Sequence, residues 1–187
     1  MSDDLVATLR AVIERLEALG IDYMVVGSVA ALAHGHSRTT QDFDVVVRAG
    51  GDELRAFVRS LPAGQYYASE DAAIDAARLA TLFNVIDLGT GWKVDVIPLK
   101  RRAFSQREFG RRRAVKLLGL DVQVASVEDV IVAKLEWSAM SGGSSRQIDD
   151  VQALVRLAGA ALDRAYIQEA CRELGLSEAW LNLNVSS

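Results

Sequence analysis

The sequence predicts an α/β protein with a helical C-terminal extension, and three observations lead there. Short apolar runs bounded by Gly, Asn and Asp alternate with amphipathic stretches through the first two thirds. From Ser126 onward only helix-length amphipathic stretches remain. The 187 residues are 50% hydrophobic and 25% charged, a globular composition with enough chain for one good core.

The elements follow in order. Leu5, Leu9, Val12, Ile13, Leu16 and Leu19 recur every three or four residues, the stripe of a core-facing helix over 3–19, and Gly20 stops it. "DYMVVG" reads as a short buried strand and "SVAALAHG" as the small-residue helix after it. "DFDVVVR" is a second strand, and "DELRAFVRSL" a helix with Asp52 as its cap. Between Pro62 and Ala80 the weak pattern suggests a connection with a partial helix. "LFNVIDL" and "WKVDVIPL", joined by "GTG", form a hairpin signal. "RRAFSQREFGRRR" predicts a basic helix, and "AVKLLGLDVQVAS" two short strands about Gly119. "SVEDVIVAKLEWSAM", "SRQIDDVQALVRLAG" and "DRAYIQEACRELG" predict three helices before a short tail. Ser126 and Asp129 are spaced as a capping box. The boundary between core and extension falls at 125/126.

Composition removes several classes. A net charge of −4 argues against a protein that coats nucleic acid nonspecifically. A single cysteine, Cys171, leaves no internal disulfide and no cysteine-based zinc site. The start is acidic and then amphipathic, unlike a signal peptide, and no run of about 18 apolar residues suggests a membrane span. A soluble cytoplasmic protein without a membrane partner is expected.

Three short pieces carry chemistry. Gly27-Ser28 stands at a strand–helix turn, where glycine permits close approach and a helix start offers unpaired N–H groups to an anion. Tight packing explains such a pair equally well. Asp42 and Asp44 are two residues apart on a strand, so they share one face, roughly 7 Å apart at Cα, while Phe43 turns to the core. Hard carboxylates so placed suit Mg²⁺, which takes oxygen ligands from carboxylates and substrate phosphates; an exposed strand edge is the plain alternative. Asp95 sits inside an apolar strand, where an unpaired carboxylate is costly. It joins the other two if the strands are neighbours; otherwise a salt bridge to an arginine accounts for it.

The order is Gly-Ser, thirteen residues, Asp-Phe-Asp-Val, then a lone strand Asp about fifty residues on. It resembles the nucleotidyltransferase superfamily typified by DNA polymerase beta, over roughly residues 20–100. "SRTTQDFDVVV" contains Arg-x-Thr-x-Asp-x-Asp, similar to the abortive-infection toxin branch, and "VEDVIVAKLEWS…SRQIDDVQAL" looks like the region that follows the core there. The resemblance implies a small mixed-sheet α/β (α+β) core with flanking helices. It implies Gly27 and Ser28 on the β- and γ-phosphates of an NTP, and two Mg²⁺ ions on Asp42, Asp44 and Asp95. Arg38 and Lys134 would serve the phosphates; a solvated helix charge is the plain reading of Lys134. The implied reaction moves a nucleoside monophosphate to a hydroxyl of tRNA, protein or a small molecule, with pyrophosphate leaving. A toxin role would bring an antitoxin protein as partner.

Other features stay open. Arg146 and Asp150 match the relatives' motif, though Asp150 also suits a structural pair. His34 and His36 suggest metal but lack a nearby third ligand, which favours loop polarity or substrate contact. Residues 100–116 hold eight basic residues against one acid, Glu108, suiting either a phosphate-rich acceptor or a solvated helix. A dehalogenase-type phosphatase would need its apolar strand before the first Asp, and a glycosyltransferase would leave Gly27-Ser28 and Asp95 unexplained. The remaining rival is a catalytically silent nucleotidyltransferase-like module that binds nucleotide or regulates.

Overall fold

A computed structural model describes residues 3–36 and 42–184 of the chain. Helix α1 (Asp3–Ala18) buries Leu5, Leu9, Val12, Ile13 and Leu16. Leu19 keeps the spacing of the stripe but lies one residue past the helix end and is exposed, and Gly20 follows at φ +66°. Strand β1 (Asp22–Val26), helix α2 (Gly27–Ala33) and strand β2 (Asp42–Arg48) come next.

Helix α3 (Gly51–Ser60) corrects one expectation. Its cap is Gly50, whose N–H donates to the Glu53 carboxylate at 2.6 Å. Asp52 lies in the first turn instead, where a carboxylate favours the helix dipole, and pairs with Arg55 at 2.9 Å. The weakly patterned 62–80 region holds more order than its sequence suggests: a short strand β3 (Tyr66–Tyr67) and a full helix α4 (Glu70–Leu79). Ser69 caps α4 by accepting from the Ala72 N–H at 3.2 Å.

Strands β4 (Phe83–Asp87) and β5 (Lys93–Pro98) form the expected hairpin. Helix α5 (Ala103–Gly110) precedes strands β6 (Arg113–Leu117) and β7 (Leu120–Val124). Leu118 and Gly119, at φ +54° and +79°, make the tight turn between those two strands. The helical part comprises α6 (Val127–Met140), α7 (Ser145–Ala158), α8 (Arg164–Glu173) and α9 (Ser177–Asn184). Ser126 caps α6 by accepting from the Asp129 N–H, as the spacing predicted. The short tail is in fact α9, which buries Trp180 and Leu183.

Among the described residues the strands make one seven-stranded mixed sheet, ordered β3-β4-β5-β2-β1-β7-β6. Strand β2 lies at its centre, antiparallel to β1 and parallel to β5. Phe43, Val45 and Val47 are fully buried on one side of β2, as are Val94 and Val96 on β5. The alternate positions are thus left to the opposite face. Helix α2 packs on β1 and β2 and meets α6, which carries α7, α8 and α9.

Candidate active site

The strand order places the acids together. Asp44 on β2 is the direct register partner of Asp95 on β5, and Asp42 is the partner of Lys93. Paired residues on neighbouring strands point to the same face, so three carboxylates and one ammonium share a patch. Lys93 Nζ stands 3.1 Å from one Asp95 oxygen and 3.5 Å from Asp42 Oδ1. The partner of Asp95 is therefore a lysine on its own strand, and its other restraint is a 2.6 Å hydrogen bond from Asn84 Nδ2. Asp95 is only 13% exposed, so these two contacts fix how it faces the cleft.

Gly27 belongs to the same assembly. Val26 is the register partner of Asp44, so the turn that starts α2 passes directly over that carboxylate. A Cβ on Gly27 would sit 2.2 Å from Asp44 Oδ2, and its φ is +65°. Glycine is thus required twice, for its backbone angle and for the space Asp44 occupies. The close approach anticipated at this turn is made by the aspartate itself.

Burial drives the Asp44 carboxyl up to about 6, with the charges of Asp95 and Asp42 adding to it and Lys93 and Lys134 opposing. The Lys93 ammonium is raised: burial lowers it, and Asp95 and Asp42 outweigh that. Burial and the crowded carboxylates thus outweigh the two ammonium groups, and Asp44 holds its proton to a higher pH than an exposed aspartate. Among the described residues no three acid, histidine or cysteine side chains are drawn into a finished metal cage. The donor chemistry nevertheless fits Mg²⁺. Three hard oxygen groups face one opening, and the lysine already occupies a cation position between two of them.

The acids open into a cleft of about 770 Å³ whose walls include Gly27, Ser28, Lys134, Arg146 and Gln147. Lys134, expected on a phosphate, is 5% exposed and binds Asp150 at 2.6 Å and Gln147 at 3.1 Å. It is thus a buried network charge rather than a solvated helix charge. His36 Nε2 contacts the same Asp150 at 2.9 Å. Burial raises the Asp150 carboxyl, but hydrogen bonds from Lys134 and His36 more than reverse this and hold it below its usual range. His34 Nε2 lies 2.8 Å from the Ala125 carbonyl. His36 therefore ties the turn after α2 to α7, and His34 ties it to the residue that ends the core before α6. Arg38 lies outside the described residues.

The basic run 100–116 is largely neutralised. Arg102 makes a two-pronged pair with Glu136, and Arg107 binds Glu173 at 2.6 Å. Arg111 reaches Asp129 at 3.1 Å and Glu128 at 3.2 Å. Arg112 pairs with Asp22 and Lys116 with Asp121. Three of the eight basic residues, Arg102, Arg107 and Arg111, thus fasten α5 and its C-terminal end to α6 and α8, so the run is not a plainly solvated helix. Sequence reasoning missed Lys93, Asn84 and the lining residues Glu108 and Trp137. Lys-x-Asp on a strand was the available signal for Lys93; the others carried none.

No family model matches this chain, and no curated protein matches it. Solved structures do. The antibiotic-resistance factor ANT(2'')-Ia aligns over 100% of this chain and 99% of its own, at 15% identity and a TM-score of 0.63. An antigenic nucleotidyltransferase-like protein from Paracoccidioides brasiliensis aligns over 97% and 92%, at 19% identity and 0.58. The lincosamide antibiotic adenylyltransferase LnuA, solved with lincomycin bound, aligns over 84% and 98%, at 9% identity and 0.57. At such identities the likeness is one of fold, and it covers the strand pair that carries the acids together with the helices after it. This chain has the fold of the nucleotidyltransferase superfamily.

Proposed function

We propose that the chain is a nucleotidyltransferase that transfers a nucleoside monophosphate from an NTP to a hydroxyl acceptor, with pyrophosphate leaving. The observation that supports this most is the packing of Gly27 against Asp44, which stands opposite Asp95. A merely structural strand edge has no need to clear a helix start for a carboxylate.

In this reading Asp42, Asp44 and Asp95 would hold two Mg²⁺ ions, whose chemistry is charge neutralisation at phosphate oxygens and activation of the attacking hydroxyl. The backbone of Gly27 and Ser28 would receive the β- and γ-phosphates at the start of α2, where no side chain caps the helix. Asp95, oriented by Asn84 and Lys93, would take up the acceptor hydroxyl proton. Lys134 would act on the phosphate side through the wall it shares with Gln147 and Arg146, since its ammonium is held by Asp150. Arg146 is the exposed cation of that wall, and Arg38 would complete the phosphate contacts. A toxin role with an antitoxin partner rests on the Arg38-to-Asp44 motif and the helical sequence that follows the core.

The test is incubation of the chain with each α-labelled NTP, Mg²⁺ and total RNA or lysate. Label should enter one pool and vanish with Asp42→Ala together with Asp44→Ala. Undiminished labelling by that variant would sink the site assignment. Label in no pool would favour a catalytically silent nucleotide-binding module.

A further inference from the structure

Gln147 stands in the first turn of α7, and one contact fixes how its amide is turned. Its Oε1 accepts a hydrogen bond from Lys134 Nζ at 3.1 Å. An ammonium only donates, so the oxygen is committed to Lys134 and the NH₂ group is left for another partner. Gln147 is half-buried on the cleft wall. Among the described residues its Nε2 has no hydrogen-bond partner and is not sealed from solvent. Two N–H donors therefore stand at the cleft with no acceptor of the chain to take them.

Lys134 itself is poorly placed to touch an occupant. It is 5% exposed, its ammonium binds Asp150 at 2.6 Å as well as Gln147, and the Asp150 carboxylate balances its charge. The contact that the wall offers at this point thus passes to Gln147. The surroundings suit an anion. Arg146 lines the cleft beside it, no acid stands in the first turn of α7, and no side chain caps that helix. The turn consequently keeps the partial positive charge of a helix start. The acids are near as well, because the charge of Lys134 is felt at the Asp44 carboxyl, which it draws downward.

We infer that Gln147, its amide locked by Lys134, donates from Nε2 to a phosphate oxygen of the nucleotide, so that Lys134 acts on the nucleotide through Gln147 and not by direct contact. The inference rests on the nucleotidyltransferase reading in naming the anion as the triphosphate. Gln147 brings a directed donor without charge, while Arg146 brings the charge.

The test titrates inorganic tripolyphosphate, with Mg²⁺, into the full ¹⁵N-labelled chain. The Gln147 side-chain NH₂ resonances, assigned by their loss in Gln147→Leu, are the reporter. They should move saturably with tripolyphosphate and stay in place with adenosine. Gln147→Glu keeps an oxygen for Lys134 but turns the donor into an acceptor, and it should weaken tripolyphosphate binding at least tenfold. A wild-type amide that does not respond to tripolyphosphate overturns the inference, whether or not the variant folds. Response to adenosine alone overturns it too, as does unchanged affinity in Gln147→Glu, the result expected if Gln147 merely braces Lys134. The nucleotide-labelling experiment separates this result from the parent reading. A responding amide without label transfer supports the anion contact and removes the transferase reading. Acid-dependent label transfer with a silent amide removes the Gln147 contact alone.

Discussion

Replacing Asp44 by asparagine should make the protein more stable at neutral and alkaline pH, although it destroys the proposed site. The Asp44 carboxyl ordinarily titrates near 3.8 and is held at about 6 in the folded chain. A folded-state value above the unfolded one means that the fold favours the protonated acid. That favourable contribution is fully present below about 3.8 and is lost as pH rises through 6. The gap of about two units corresponds to roughly 3 kcal/mol of stability forfeited by ionised Asp44. Asparagine keeps the shape and cannot ionise, so Asp44→Asn should recover up to about 3 kcal/mol at pH 8 and little at pH 4. For a chain of this length that is a rise of roughly 6–12 °C in Tm. Urea unfolding followed by circular dichroism from pH 4 to 8 reads the effect. Subtracting the two curves cancels the parallel slope that Glu108 contributes between its unfolded and folded values, because Glu108 is common to both proteins. A variant no more stable than wild type at pH 8 would refute the argument that Asp44 is held under electrostatic and desolvation stress.

Two further substitutions probe the frame around the acids. Gly27→Ala places a Cβ on Asp44 Oδ2 and costs about 1–2 kcal/mol for its left-handed φ alone. It should lower Tm and abolish acid-dependent label transfer, and full transfer by this variant would show that Asp44 does not need the space beneath the turn. Lys134→Met leaves Asp150 buried without its main partner and should cost about 3–5 kcal/mol in urea unfolding. Adding Asp150→Leu to it should restore much of that loss, and strict additivity of the two changes would argue against a coupled pair.

How much of this was legible in the chain follows from the range of the forces involved. The common face of Asp42 and Asp44 is fixed by the two-residue period of a strand, and the Gly20 and Ser126 helix boundaries by local capping. The meeting of Asp95 with them required only that β5 lie beside β2, which the motif order suggested and the register bears out. Lys93 was harder, because a lysine two residues before an acid faces either solvent or a neighbouring strand according to pairing alone. The fate of the basic run was hidden for a different reason. Arg102 meets Glu136 across 34 residues and Arg107 meets Glu173 across 66, so no local pattern records the partners. Glu108 looked like a stray acid in a basic helix, and only packing revealed that it is buried. Helix α4 was underestimated because its alanine-rich turns bury little more than Ala73 and Ala76, giving a faint apolar stripe.

The arginine ties between α5 and the later helices also determine what a shortened version of this protein would do. A fragment ending at residue 125 would part with Glu128, Asp129, Glu136 and Glu173 in one cut. Arg102, Arg107 and Arg111 would then stand loose on an uncovered apolar surface. Such a fragment would capture RNA and acidic resins in pull-downs through charges that the intact chain keeps occupied. Nucleic-acid binding measured on the isolated N-terminal part would accordingly describe the cut and not the intact chain.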